Sequence, residues 1–388
     1  MELILKQYDI PLLRFSATND SSTPEIEVHW INEDQRHLLP LDMELSPEGI
    51  SRWMRRRTIP RNRAYVNRLL AKCGLNVNRP MGILALCKGL SVDDSYWVVE
   101  DGFEGTFEKY NLFENRFSEV LALIAFTGYG SSNRSSLASS PEFTTNGMLP
   151  KCWRRISGKV TLYKGGTDGG YNTGAEPYCE YYAAQVAAAM GIDAIPYGLS
   201  QWKGRLCSTC ELFTDIDHAY MPIGNLVQRG GFDAVAAYYE KLGEPFQKAF
   251  RDMLVFDAVI CNTDRHYGNF GFMIDNKNNT IAAPAPLFDH GNSLFNQAGP
   301  EDYESPEAFQ QYIDTLVPCV YDDFFATAKR FMADENREQL RKLLGFRFKR
   351  HVRYNLPPKR LKLMEEQVRK RAMRLLEREP ENVNISHI

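Results

Sequence analysis

The chain has 388 residues, 44% hydrophobic and 24% charged, which excludes a disordered or fibrous protein and leaves room for two or more packed units. Its 46 Lys and Arg against 49 Asp and Glu give a net charge of −3, which excludes a uniformly basic nucleic-acid binder. The average hides an asymmetry: 14 basic residues fall between Arg341 and Arg378, so a moderately acidic body carries a strongly basic C-terminal segment. The start, MELILKQYDIP, has no basic n-region, and no apolar run approaches the roughly 20 residues of a membrane span. A cytoplasmic chain without a transmembrane segment is expected, with its eight cysteines reduced.

In chain order, residues 1–40 alternate short apolar runs with Asn, Asp and Ser, the pattern of a small hairpin-rich sheet. Ser46-Pro47-Glu48 starts a helix over Ile50 to Arg56, and a second helix is expected from Arg61 to Cys73. Seven arginines lie between Arg52 and Arg68; a solvated face or interdomain contact is a better reading of them than a nucleic-acid patch. The stretch from Gly89 to Trp97 reads as packing around an aromatic anchor. Leu112, Phe113, Phe117, Val120, Leu121 and Ile124 predict a helix over 112–126. From Gly128 to Thr145 the chain is too polar to pack, a linker or a functional loop.

Lys159 to Tyr163 reads as a strand ending in Lys164, followed by a glycine-rich loop to Gly174 and a helix from Pro177 to Met190 closed by Gly191. Strands are expected around Tyr197 and from Leu206 to Phe213. Cys207 and Cys210 form a CxxC pair with no second pair at zinc spacing, so buried thiols in a strand are the stronger reading. Helices follow at Phe232 to Lys241 and Pro245 to Cys261, then a turn-rich block from Asn262 to Ser293, then C-terminal helices. The last, around Leu361 to Arg378, places Leu361, Met364, Val368, Ala372 and Leu375 on one face. Strands first and helices after make an α+β, two-lobed pattern.

The sharpest chemical signal is Asn262-Thr263-Asp264-Arg265-His266-Tyr267-Gly268-Asn269, after an apolar helix and before the strand-like Phe270 to Ile274, with Leu287-Phe288-Asp289-His290-Gly291-Asn292 about 20 residues on. A carboxylate, an amide five residues later and a second carboxylate beyond a hairpin are what phosphoryl transfer uses. One acid orients the attacking hydroxyl, and two oxygen donors hold magnesium on the nucleotide phosphates. Taken singly, each residue also has a structural reading: Asp264 and Asn269 as turn residues bonded to their own backbone, His266 and His290 as hydrogen-bonded supports.

These blocks resemble the HipA-like serine/threonine kinases, a family with a protein-kinase-related fold whose catalytic loop is also similar to the D-R-H-x-x-N loop of phosphoinositide kinases. The resemblance covers roughly residues 130–300. It implies Asp264 as catalytic acid/base, His266 as a brace for the loop or phosphate, and Asn269 and Asp289 as Mg2+ ligands. Gly147-Met148-Leu149-Pro150-Lys151 is similar to the family's G-x-x-P-K phosphate loop, placing Gly147 and Lys151 at the nucleotide. Lys164 matches the nucleotide-binding lysine and Glu180 the acid that positions it. Cys210-Glu211-Leu212-Phe213 resembles the hinge, where main-chain groups of Glu211 and Phe213 would meet the adenine.

Thr144, three residues before the phosphate-loop glycine, matches a position autophosphorylated in the family, with Thr145, Ser135, Ser136, Ser139 and Ser140 nearby. The implied architecture is a two-lobed protein-kinase-like fold, with a small accessory N-terminal domain (1–110), a kinase N-lobe (111–213) and a helical C-lobe (214–388). ATP and Mg2+ are the implied cofactors, with a protein substrate and an antitoxin-like partner; nucleic acid is not required. A kinase of a small-molecule or phosphoinositide hydroxyl, and a non-catalytic toxin–antitoxin binding module, are the alternatives. The basic C-terminal helix raises a separate expectation of a solvated or partner-recruiting positive face.

Overall fold

The computed structural model describes residues 1–18, 24–130, 140–170 and 173–377. Packing divides the chain into two interleaved units: one from Met1–Gly169, Tyr197–Arg229 and Tyr267–Ala285, the other from Gly170–Pro196, Gly230–His266 and the residues from Pro286 onward. Among the described residues every strand lies in the first unit, in three antiparallel sheets.

The expected N-terminal sheet contains β1 (Glu2–Gln7), β2 (Ile10–Ala17) and β3 (Ile26–Ile31), and gains β4 (Tyr96–Glu100) beside β1. Period-two alternation turns Leu3 and Leu5 inward against α1 (Pro47–Arg56), whose Ile50, Trp53 and Met54 are buried with them. The Ser46 hydroxyl accepts from Gly49 N and caps this helix. The aromatic anchor is Trp97, fully buried on β4. Two short helices follow, α2 (Val66–Lys72) and α3 (Pro80–Cys87). The first begins later than expected because Tyr65 takes a left-handed φ of +58°.

The helix expected over 112–126 is α4, restricted to Glu119–Thr127. The side-chain oxygen of Asn111 accepts from the amides of Phe113 and Glu114, a local bond that competes with helix formation, and Ser118 then caps the shorter helix. The second sheet is β5 (Lys151–Ile156), β6 (Lys159–Gly165), β7 (Gly198–Trp202) and β8 (Arg205–Glu211), in the order β5-β6-β8-β7. Cys207 and Cys210 both lie on β8; three residues apart on a strand they face opposite sides. No group of three or more potential metal-binding His, Cys, Asp or Glu side chains occurs among the described residues. The third sheet is β9 (His218–Pro222), β10 (Gly271–Asp275) and β11 (Thr280–Pro284), with β10 central.

The second unit is helical: α5 (Glu176–Met190), α6 (Gly231–Leu242), α7 (Glu244–Ile260), α8 (Pro306–Asp314), α9 (Phe324–Phe331), α10 (Asp334–Arg341) and α11 (Pro358–Leu376). Gly191, with φ +80°, closes α5 as its position predicts. Helix α7 is buried from Asp252 to Ile260, and Asp252 within it accepts from Asn336 and Gln339.

Helix α11 buries the expected stripe of Leu361, Met364, Val368, Ala372 and Leu375. Its basic face, expected to be solvated or partner-recruiting, is in part packed within the second unit. Arg371 is buried, donates from Nε to Ala258 O at 2.6 Å and stacks on Phe325. Arg369 donates to Phe346 O, and Arg374 lies 3.8 Å from the Phe325 ring centre. Alkyl stems and guanidinium planes suit arginine to this half-buried packing.

Candidate active site

Helix α7 ends by a local device that also builds the Asp264 loop. Cys261 adopts φ +54° and donates its amide to Asp257 O. Asn262 donates from Nδ2 to Asp257 Oδ1 at 3.0 Å and accepts the Asp264 amide on Oδ1 at 3.1 Å. Arg265 folds back beneath the loop: Nε and Nη2 grip the two Asp257 oxygens at 2.9 and 3.0 Å, a bidentate pair with both side chains essentially sealed from solvent. Burial alone would lower the Arg265 pKa; the adjoining Asp257 carboxylate reverses this and raises it above the ordinary value. The remaining Arg265 donors reach Phe288 O at 2.6 Å and His290 Nδ1 at 3.0 Å. A guanidinium only donates, so Nδ1 accepts and the buried His290 carries its proton on Nε2.

This bonding joins the Asp264 loop to the Asp289 loop within one unit. Thr263 donates its amide to Asn292 O at 3.0 Å, and Asn292 returns Nδ2 to Asp264 Oδ2 at 2.8 Å. Asn292 is itself held by Asn296. One carboxylate oxygen of Asp264 is thereby fixed in direction. His266 sits two residues on, its amide donating to Asp264 O at 2.8 Å. Asp289 takes φ +55°, a left-handed conformation that few non-glycine residues adopt. The segment before it is pinned by Ile195 N to Leu287 O and Leu287 N to Asp193 O. Glu180, fully buried on α5, lies beside this loop: a Cβ placed on Gly291 would be 3.4 Å from its Oε1.

The other unit carries the second group of expected residues. Register along β5 and β6 sets Lys151 directly opposite Lys164, and the two are only 7% and 6% exposed. Like charges directly opposed on one face of a ladder are unfavourable, and an anion bound between them changes the sign. Gly147 precedes them with φ +96°, and a Cβ there would meet the end of the Lys151 side chain; the backbone conformation is what calls for glycine.

At the end of β8, Leu212 N donates to Val160 O on β6. Alternation then turns the main-chain groups of Glu211 to the other edge, where β7 ends with Gly198 opposite Thr209. The Glu211 side chain is on the surface, paired with Lys159 at 2.7 Å, and Phe213 packs edge-on against Tyr220. Asn269 is buried, next to Gly268, whose carbonyl accepts from the Tyr220 hydroxyl.

Thr144 is buried, and its hydroxyl donates to Leu90 O at 3.0 Å. The Ser140 hydroxyl accepts from the Glu142 amide. Ser135, Ser136 and Ser139 lie outside the described residues.

Three side chains that organise this chemistry were not among the sequence candidates, Asp257, Arg265 and Asn292, while His290 is the hydrogen-bonded support of its structural reading. An Asp inside the apolar run Met253 to Ile260 was the available signal for the first, since a buried carboxylate requires a partner.

No protein-family model matches the chain. Among curated proteins it is similar to the serine/threonine-protein kinase CtkA of Helicobacter pylori, 27% identical over 135 residues, 31% of this chain and 41% of that protein. The chain thus spans about two fifths of the length of this curated relative. Among solved structures it is similar to the toxin–antitoxin protein HipA of Shewanella oneidensis, determined with HipB and its operator DNA: TM-score 0.51 at 14% identity, covering 96% of this chain and 97% of that one. The crystal structure of CtkA itself gives a TM-score of 0.47 at 16% identity, over 60% of this chain and 92% of that chain. The likeness to HipA is one of fold.

Proposed function

We propose that this relative of the HipA-like serine/threonine kinases is an ATP- and Mg2+-dependent kinase that transfers the γ-phosphoryl group to a Ser or Thr hydroxyl of a protein. The single observation that carries the reading is Asp264: a carboxylate with one oxygen held by Asn292 at 2.8 Å, on a loop riveted to its helix by the buried Asp257–Arg265 pair. A group that accepts a proton from an incoming hydroxyl needs this fixed direction, because proton transfer is steep in distance and alignment.

In this reading Asp264 orients and deprotonates the acceptor hydroxyl, and His266 braces the loop. Lys151, Lys164 and the Gly147 loop take the phosphates, with Glu180 positioning Lys164. The main chain at Glu211 and Phe213 meets the adenine. The donor set at Asn269 and Asp289 is one amide and one carboxylate oxygen, which suits a hard cation that keeps several of its waters. Magnesium bound there would supply neutralisation of charge on the nucleotide phosphates. The two-lobed division with an accessory domain at 1–110, a cytoplasmic location and an antitoxin-like protein partner belong to the same proposal. Thr144 as autophosphorylation site requires that its hydroxyl first leave Leu90 O.

The test is transfer of labelled phosphate from ATP with magnesium, to the chain itself and to candidate proteins. Asp264→Ala is expected to lower transfer by at least about 100-fold while retaining nucleotide binding; equal transfer by both proteins would overturn the assignment.

A further inference from the structure

The Gly147 loop is held by a residue from a distant part of the chain. Arg63 lies in the turn before α2, and its side chain, like that of Glu142, has no solvent exposure. From this one guanidinium, Nη1 donates to Glu142 O at 2.9 Å and Thr145 O at 2.8 Å, and Nη2 donates to Lys151 O at 3.1 Å and to the Glu142 carboxylate. Thr145 and Lys151 are the two ends of the loop that carries Gly147. The other Glu142 oxygen accepts the Trp153 amide at 2.8 Å, and Trp153 Nε1 donates to the Thr145 hydroxyl at 2.9 Å. Both loop ends, the start of β5 and the 3-10 turn Pro141–Phe143 therefore converge on the Arg63–Glu142 pair.

A fully buried ion pair is an expensive way to gain stability, since desolvation offsets most of its attraction. A buried hydrogen-bond network does specify one arrangement of the groups it joins, and both terminal nitrogens of Arg63 are engaged in this one while Nε is not. Here those groups include the main-chain carbonyls of Thr145 and Lys151, which bracket five residues and which a hydrophobic substitute would not hold. We propose that Arg63 is the positioning residue of the Gly147 loop: it clasps both ends so that the loop amides and Lys151 are ordered before a polyphosphate arrives. The segment around residues 57–65 thereby sets nucleotide affinity without touching nucleotide. The inference rests on the reading of the Gly147 loop as a phosphate loop.

Arg63→Lys keeps the charge beside Glu142 but lacks the fork that reaches three carbonyls. With the full-length protein, it is expected to raise the ATP KM about tenfold with kcat within about twofold. Amide hydrogen exchange should be faster across residues 145–151 and unchanged in the second unit. A folded Arg63→Lys protein with wild-type KM and wild-type exchange over 145–151 overturns the proposal. So does exchange that rises evenly through the first unit, the mark of a general stability role. If Arg63→Lys does not fold, the isosteric Glu142→Gln is read in the same way, with unchanged loop exchange again overturning the clasp. If the wild-type protein shows no affinity for ATP, the kinase reading fails, while the exchange measurement still decides whether Arg63 orders the loop.

Discussion

The two loops assigned to the nucleotide are fixed by opposite strategies. The Asp264 loop is tied mainly by its own neighbourhood: Arg265 reaches Asp257 eight residues back, Asn262 reaches the same carboxylate, and the Asp289 loop completes the set about 25 residues on. The Gly147 loop depends on Arg63, 79 residues before Glu142. Local fixation makes the geometry of the proposed proton acceptor depend mostly on one helix end and the loop it meets. Remote fixation ties the proposed phosphate loop to a segment of the first unit far from it in sequence, and gives the N-terminal region leverage over it.

The largest expected effect tests the local half of that contrast. Asp257→Ala leaves Arg265 buried without its counter-charge, so stability should fall by about 3–5 kcal/mol, read as a lowered urea midpoint. A near-wild-type midpoint would mean that the loop is held by something other than this pair. Next comes Gly147→Ala, which forces a side chain into φ +96° at a strain of about 1–3 kcal/mol. The cost should appear as a raised ATP KM together with a fall of a few degrees in melting temperature, and an unchanged KM would remove Gly147 from the proposed phosphate loop. The smallest effect is that of Asn292→Ala. It frees one oxygen of Asp264, and about a tenfold fall in kcat is expected, equivalent to about 1.4 kcal/mol, with KM constant. Unchanged kcat would show that Asp264 is oriented without it.

The same contrast explains what could be read from the residues alone. The apolar run of α7, the strand after Asn269, the glycine that closes α5 and the stripe of α11 are periodic or local signals, and each element lies where its pattern puts it. Residues 112–118 defeated the periodicity because one Asn111 side chain captured two amides; Leu112 still reaches the core without a helix. The Arg63–Glu142 clasp left no trace in the sequence, since nothing marks one of seven arginines between 52 and 68 as the buried one. Asn292 was visible as a residue, yet its bond to Asp264 depends on the return of the chain after Asp289.

The arginines of α11 carry a consequence for how this protein would respond to its medium. Salt screens charges that face water and leaves sealed ones almost untouched. Arg371 is buried and Arg369 is half-buried against a carbonyl, while Lys359, Lys362, Lys370 and Arg374 face outward, Arg374 over the Phe325 ring. The salt dependence of any attraction between this helix and a polyanion would therefore be set by these outward cations rather than by the full basic count.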